Sequence, residues 1–234
     1  MILCLETATS VCSAALCNRA GVVSLKESRE NKSHGSQLTI FIKELLVENG
    51  IKTGDLEAVA VSKGPGSYTG LRIGVSAAKG IAYASSVPLI GIETTLSMYY
   101  GFRHFAGEKS ETGNDSLLCP MLDAKRMEVY YSIFNTEGRV VKGITASVIN
   151  EESFSDISES VRIFFFGDGA IKCRDIINHA NSAFSEDFTI SAAFMQIPAY
   201  EAFDSGRFEN VAYFEPFYLK DFIPTVPKKN IAGK

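Results

Sequence analysis

Apolar positions recur along this chain in two rhythms, and the switches between them outline an alternating α/β protein. Residues 2–6, 12–16 and 22–25 are short apolar runs, and Asn18-Arg19-Ala20-Gly21 supplies a hairpin turn between the last two. Such runs bounded by polar turns read as strands, so the chain opens on three antiparallel strands. A polar break at Glu30-Asn31-Lys32-Ser33 changes the spacing. Leu38, Phe41, Ile42, Leu45 and Leu46 then stand three or four apart and stop at Asn49-Gly50. That predicts an amphipathic helix with a glycine past its end. A buried strand over 56–61, broken at Gly64-Pro65-Gly66, leads to a long helix over 67–84 and a strand over 88–92. Thr94 or Thr95 caps a further helix running through Tyr99 and Tyr100.

Residues 106–116 are polar and contain glycine, which marks them as the boundary between two lobes. The expected division is 1–105, 106–216 and an extended tail over 217–234 that carries Pro224, Pro227 and Lys228-Lys229. In the second lobe, strands over 117–122 and 128–134 flank a turn at Asp123-Ala124-Lys125-Arg126. A strand over 161–166 ends at Gly167-Asp168-Gly169, and a helix follows through Ile176-Ile177. Each half starts with a strand meander and then alternates helix and strand. The pattern is that of an α/β protein with two related lobes.

Composition narrows the function classes. The 234 residues are 46% hydrophobic and 21% charged, a globular balance with enough apolar material for real cores. A net charge of −4 gives no global field for nucleic acid, so any RNA contact needs a local patch or a partner. The five cysteines are odd in number and form no CxxC pair, which points to free buried thiols in a reducing cytoplasm. The segment Met1-Ile2-Leu3-Cys4-Leu5-Glu6 lacks a basic n-region, and no apolar stretch nears the roughly 20 residues that span a bilayer. The expectation is a cytoplasmic protein without a membrane segment.

Candidate chemistry is sparse. Glu6-Thr7-Ala8-Thr9-Ser10 lies on a turn between strands, where the hydroxyls of Thr7, Thr9 and Ser10 can hold a phosphate or simply satisfy the turn's own backbone. Gly64-Pro65-Gly66-Ser67-Tyr68-Thr69-Gly70 follows a strand and opens a helix, but it matches neither the dinucleotide fingerprint nor a P-loop. Downstream, Gly66, Gly70, Gly74 and Ala78 repeat every fourth residue and share one face. Glycine costs about 0.8–1 kcal/mol against alanine inside a helix, so another element must approach this face closely. That element is either the chain's own sheet and first helix or a helix of a second subunit. Asp123, Lys125, Arg126 and Glu128 read as an ion-paired turn rather than an acid/base couple, with Tyr130 and Tyr131 on opposite faces of the next strand. His34, His104 and His179 form no HxxxH or HExxH pair, so no metal site is expected.

The segments LETAT, SKGPGSYTGLRIGVSAAKGIA, PLIGIETT, DAKRMEVYY and FEPFYLKD resemble the TsaB (YeaZ) family, most densely over residues 1–100. The resemblance implies an actin/Hsp70/sugar-kinase-like (ASKHA) fold, with two related lobes of mixed sheet flanked by helices. It implies a non-catalytic subunit that pairs with TsaD, the paralogue that threonylcarbamoylates adenosine 37 of tRNAs reading ANN codons. A TsaE-like ATPase docks on that pair, and tRNA is met only through the complex. Pairing through N-terminal-lobe helices implies contacts at Gly66, Ser67, Tyr68, Gly70, Leu71, Gly74 and Ala78, and at His34, Gln37, Leu38 and Phe41. A lone chain can self-associate through the same face. No cofactor is then held tightly by this chain alone, and ATP or ADP belongs at the interface with partners. Glu6 stands where the family usually has Asp, and Lys125 where it has Arg; both weaken a case for chemistry here, as does the absence of TsaD's metal-binding histidine pair. The competing readings are an actin-like ATP-dependent small-molecule kinase, which needs MgATP at Thr7, Thr9 and Ser10, and a glycoprotease-like peptidase.

Overall fold

A computed structural model describes residues 1–29, 34–109 and 115–219. In the first sheet, β1 (Ile2–Glu6), β2 (Cys12–Asn18) and β3 (Gly21–Ser28) form an antiparallel meander. β4 (Ala58–Gly64) and β5 (Leu89–Glu93) then add in parallel on the far side of β1, giving the order β3-β2-β1-β4-β5. The second sheet repeats this plan. β6 (Leu117–Asp123), β7 (Glu128–Asn135) and β8 (Val140–Val148) meander, and β9 (Ile163–Phe166) and β10 (Ser182–Ser185) run parallel to β6. The same succession of antiparallel and parallel pairings thus occurs twice. This is the two-lobed, mixed-sheet actin-like architecture that the family resemblance implies.

Layering explains the burial patterns. α1 (His34–Glu48) and α2 (Tyr68–Ser85) cover one face of the first sheet, where Leu38, Leu45, Val75 and Ala78 pack on Leu3, Leu5 and Val61. α3 (Thr94–Lys109) runs between the lobes and touches β4, β5 and β6, so Met98, Tyr99 and Phe102 enter the core of the second sheet. α4 (Asp168–Cys173) backs the second sheet's other face. A 3-10 turn (Ala192–Met195) and α5 (Gln196–Asp204) close the remaining face of the first sheet, with Met195, Ala199 and Tyr200 against Ile2, Cys4 and Ile90. β1 is covered on both faces and reads as a continuous apolar run, whereas edge strand β3 is only half covered.

This return of the chain corrects the expected lobe division. Residues 192–204 return to the first lobe, because Ala192, Met195, Ala199, Tyr200 and Ala202 complete its core, while Phe194 alone of this stretch packs on the core of the second. The segment after α5 stays there too: Glu209 pairs with Leu89 of β5, and Phe217 N donates to Lys63 O at 2.6 Å. A tail starting at residue 217 is therefore not what forms up to residue 219. Residues 220–234, with Pro224, Pro227 and Lys228-Lys229, lie outside the described residues, as do 110–114 of the expected boundary and the polar break at 30–33. Three elements carry too little pattern to be anticipated. β8 exposes Val140, Val141 and Val148 at a sheet edge, β10 has only four residues, and α5 is apolar on most sides because it lies between sheet and α3. The helix after Gly167 is shorter than expected, ending at Cys173.

Candidate functional site

The β1–β2 turn is held from beneath by Glu6. Its buried carboxylate accepts from Ala8 N (2.7 Å) and from the Ser62 hydroxyl. Burial pushes the Glu6 carboxyl up to about 7, although the hydrogen bonds from Ser62 and from the Ala8 and Thr7 amides pull the other way. Thr7 is fully buried, and its hydroxyl donates to Gly70 O at 2.8 Å. This corrects the expected phosphate site: Thr7 points into the fold, because its hydroxyl closes the contact between the turn and α2. Thr9 and Ser10 do face open space. Thr9 Oγ1 accepts from Val11 N (3.1 Å), Thr9 O lies 3.0 Å from His34 Nε2, and Ser10 is exposed.

Thr9 and Ser10 border a cleft of about 700 Å³ between the lobes, together with Ser67, Tyr68, Lys125 and Asp168. On the second lobe, Asp168 caps the backbone: its Oδ1 accepts from Asp123 N at 3.0 Å, and its carboxyl is pushed up by burial. Burial also acts on Asp123, but the bonded Lys172 ammonium and the Lys125 amide outweigh it and hold Asp123 below the usual range. Lys172 further donates to Glu128 O (2.6 Å) and Arg126 O (2.9 Å). The ion-paired turn is thus real, but its central cation comes from α4, a residue no local spacing could nominate. Lys172 stabilises an unusual backbone, since Lys125 and Arg126 sit in succession at φ +71° and +53°. Tyr130 packs toward α3 and Tyr131 toward the opposite core, on opposite faces as expected.

The glycine face of α2 is filled from within the chain. A Cβ at Gly66 would lie 2.4 Å from Ala8 O, at Gly70 2.0 Å from Thr7 O, and at Gly74 2.3 Å from Thr7 Oγ1. Of the two readings open from sequence, the intramolecular one applies to these positions. The expected partner contacts are corrected accordingly. Gly70, Leu71, Gly74 and Ala78, with Leu38 of α1, are buried in the chain's own core. Gly66, His34, Gln37, Phe41 and Tyr68 are half-buried; of the expected set, only Ser67 is exposed.

The outward faces have a different composition. Ser76, Gly80 and Ala84 form an exposed small-residue stripe on α2, and a Cβ at Gly80 would meet nothing within 4 Å among the described residues. Tyr83 stands beside it at 80% exposure, and α1 presents Ile40 and Val47 at 53% and 70%. The missed signal was the second small-residue register, Ser76-Gly80-Ala84, one helix face away from the first. Among the described residues, no group of three His, Cys, Asp or Glu side chains converges as a metal site would require. No described helix is long and apolar enough to cross a membrane.

A family model described as TsaD, tRNA N6-adenosine threonylcarbamoyltransferase, matches residues 21–213. The tRNA threonylcarbamoyladenosine biosynthesis protein TsaB of Escherichia coli (strain K12) is 28% identical, over 100% of this chain and 99% of its own length. The chain belongs to this family, in its TsaB (YeaZ) branch. Likeness to a protein named tRNA N6-adenosine threonylcarbamoyltransferase, from Halalkalibacterium halodurans, is 42% but spans 73 residues, 31% of this chain and 21% of that one. The fold matches a solved Pseudomonas aeruginosa protein described as similar to peptidase YEAZ. That match has a TM-score of 0.80 at 21% identity, over 94% of this chain and 99% of the other.

Proposed function

We propose that this chain is a non-catalytic subunit of tRNA threonylcarbamoyladenosine biosynthesis, working in the cytoplasm as the pairing partner of a TsaD-like catalytic subunit. The pair acts on adenosine 37 of tRNAs reading ANN codons, a TsaE-like ATPase joins it, and tRNA is met through the assembly. The reading rests on family membership and on one observation, the outward face of α1 and α2. Gly80 lies inside a helix, where glycine costs about 1 kcal/mol, and among the described residues no atom comes within 4 Å of where its Cβ would be. An exposed stripe of Ser76, Gly80 and Ala84 with Tyr83 on α2, and the exposed Ile40 and Val47 on α1, suit the close approach of a second helix pair. The same face serves a homodimer when the chain is alone.

The cleft supports a carrier of structure rather than of chemistry. Thr7 is bonded to α2, and the Glu6 carboxylate is consumed by the turn it supports. Nucleotide, where the assembly needs it, then sits at the joint with partners and not in this cleft alone. Sedimentation of the purified chain with and without the same organism's TsaD-like subunit tests the reading. A one-to-one complex that Gly80→Arg abolishes, with the variant still folded, is the expected result. An absence of complex at tens of micromolar, where even weak pairs register, overturns it.

A further inference from the structure

The segment after α5 is strapped along one flank of α2 and over the ends of β4 and β5. Lys79 of α2 donates to Ala212 O (3.3 Å) and Phe214 O (2.8 Å). Arg72 Nε donates to Tyr218 OH at 3.1 Å while its guanidinium lies 4.2 Å from the centre of the Tyr68 ring. Gly64 is pressed against the strap, since a Cβ there would lie 2.5 Å from Phe217 O. Between the strap and the strand ends runs a groove of about 780 Å³. It contains three carboxylates, Glu93, Glu209 and Glu215, against one ammonium, Lys63, which is 3.9 Å from Glu209. Neither Glu93 nor Glu215 has an ion pair among the described residues, although the Arg72 guanidinium lies near enough to Glu215 to interact with its charge, so Glu93 is the least compensated of the three. Two of its aromatic side chains, Tyr213 and Phe217, are 84% and 44% exposed although their backbone is tied down.

An aromatic side chain on a fixed backbone costs little entropy to use in binding, and its ring face attracts cations. Excess carboxylate repels a nucleic-acid backbone and favours a cationic segment. We infer that this groove is a docking channel for an extended lysine- or arginine-bearing segment of the catalytic partner, separate from the α1–α2 face. The inference rests on the pairing reading. It adds a second contact region that begins at the Tyr68–Arg72–Tyr218 cluster, where the strap meets the start of α2. The carboxylates choose the segment by charge, and Tyr213 and Phe217 hold its cationic side chains between ring faces. Such a contact makes pairing weaken with salt, because exposed charges are screened beyond about 10 Å at 0.1 M.

The test titrates labelled TsaD-like subunit with the wild-type chain, a Glu93→Gln/Glu215→Gln double variant and Tyr213→Ala, at 50 and 300 mM salt. Thermal melts verify that each variant folds as the wild type does. The expected result is pairing roughly tenfold weaker for the double variant at low salt, with a flatter salt dependence, and several-fold weaker for Tyr213→Ala. Wild-type pairing that both variants leave unchanged overturns the channel while sparing the pairing face, which Gly80→Arg reports separately. A parallel titration with tRNA alone covers the other class of occupant: binding that both variants change, with subunit pairing untouched, also overturns the inference. Failure of the wild-type chain to pair at all removes the pairing reading and the channel with it.

Discussion

Glu6 is an acid buried within an apolar strand, and Gly80 is a glycine exposed inside a helix. The Glu6 carboxyl is buried with its pKa raised from 4.5 to about 7. A raised carboxyl pKa means that the folded state holds the proton more tightly than the unfolded chain. The stabilisation is therefore complete below pH 4.5 and is lost as pH rises through 7. The loss is at most about 3 kcal/mol on the scale of 1.36 kcal/mol per unit. Urea unfolding at pH 5 and pH 8 should show this fall in the wild type. It should shrink in Glu6→Gln, whose amide keeps an acceptor for Ala8 N and offers a donor to Ser62. Gly80 gives the opposite kind of test. Gly80→Ala places its methyl in open space and should stabilise the isolated chain by about 1 kcal/mol in the same assay. Of these two residues, the sequence displayed the oddity of an acid inside an apolar strand and of a glycine inside a helix. It did not display their surroundings, which come from Ser62 in one case and from empty solvent in the other.

At the scale of elements, α2 shows how a correct helix can be oriented wrongly. Its limits were legible: Ser67 caps the start by accepting from Gly70 N, and the end lies at Ser85 beside left-handed Ser86. Its glycine repeat was legible too. Which neighbour the repeat faced was not, because Thr7 and Ala8 are about 60 residues away in sequence and reach α2 only through the parallel pairing of β1 with β4. Gly74→Arg is accordingly expected to unfold the lone chain, seen as loss of a cooperative melt, since the side chain has no exit past Thr7. Gly70→Ala should cost at least about 1–3 kcal/mol through overpacking against a backbone carbonyl that cannot rotate away. If Gly74→Arg instead melts like the wild type, the internal packing described for this face is wrong.

For the whole molecule, the strap decides how the first lobe is completed. Phe214 is buried in the same core as Leu3, Val59 and Leu89, although it lies more than 100 residues beyond them. Phe214→Ala should destabilise the chain by about 3–5 kcal/mol, measured by denaturant unfolding, which is a core-residue loss and not a tail-residue loss. The two-lobed plan itself was determined by the sequence: apolar runs, turn residues and helical spacing fix local conformation, and each half carries the same order of these signals. The tertiary structure alone decided which lobe each segment joins, which face of α2 is inside, and which cation anchors the Asp123 turn. Local pattern reports how a segment folds on itself. Its neighbours are set by sheet pairing and by the shared burial of segments far apart in the chain, for which no single stretch of sequence carries a mark.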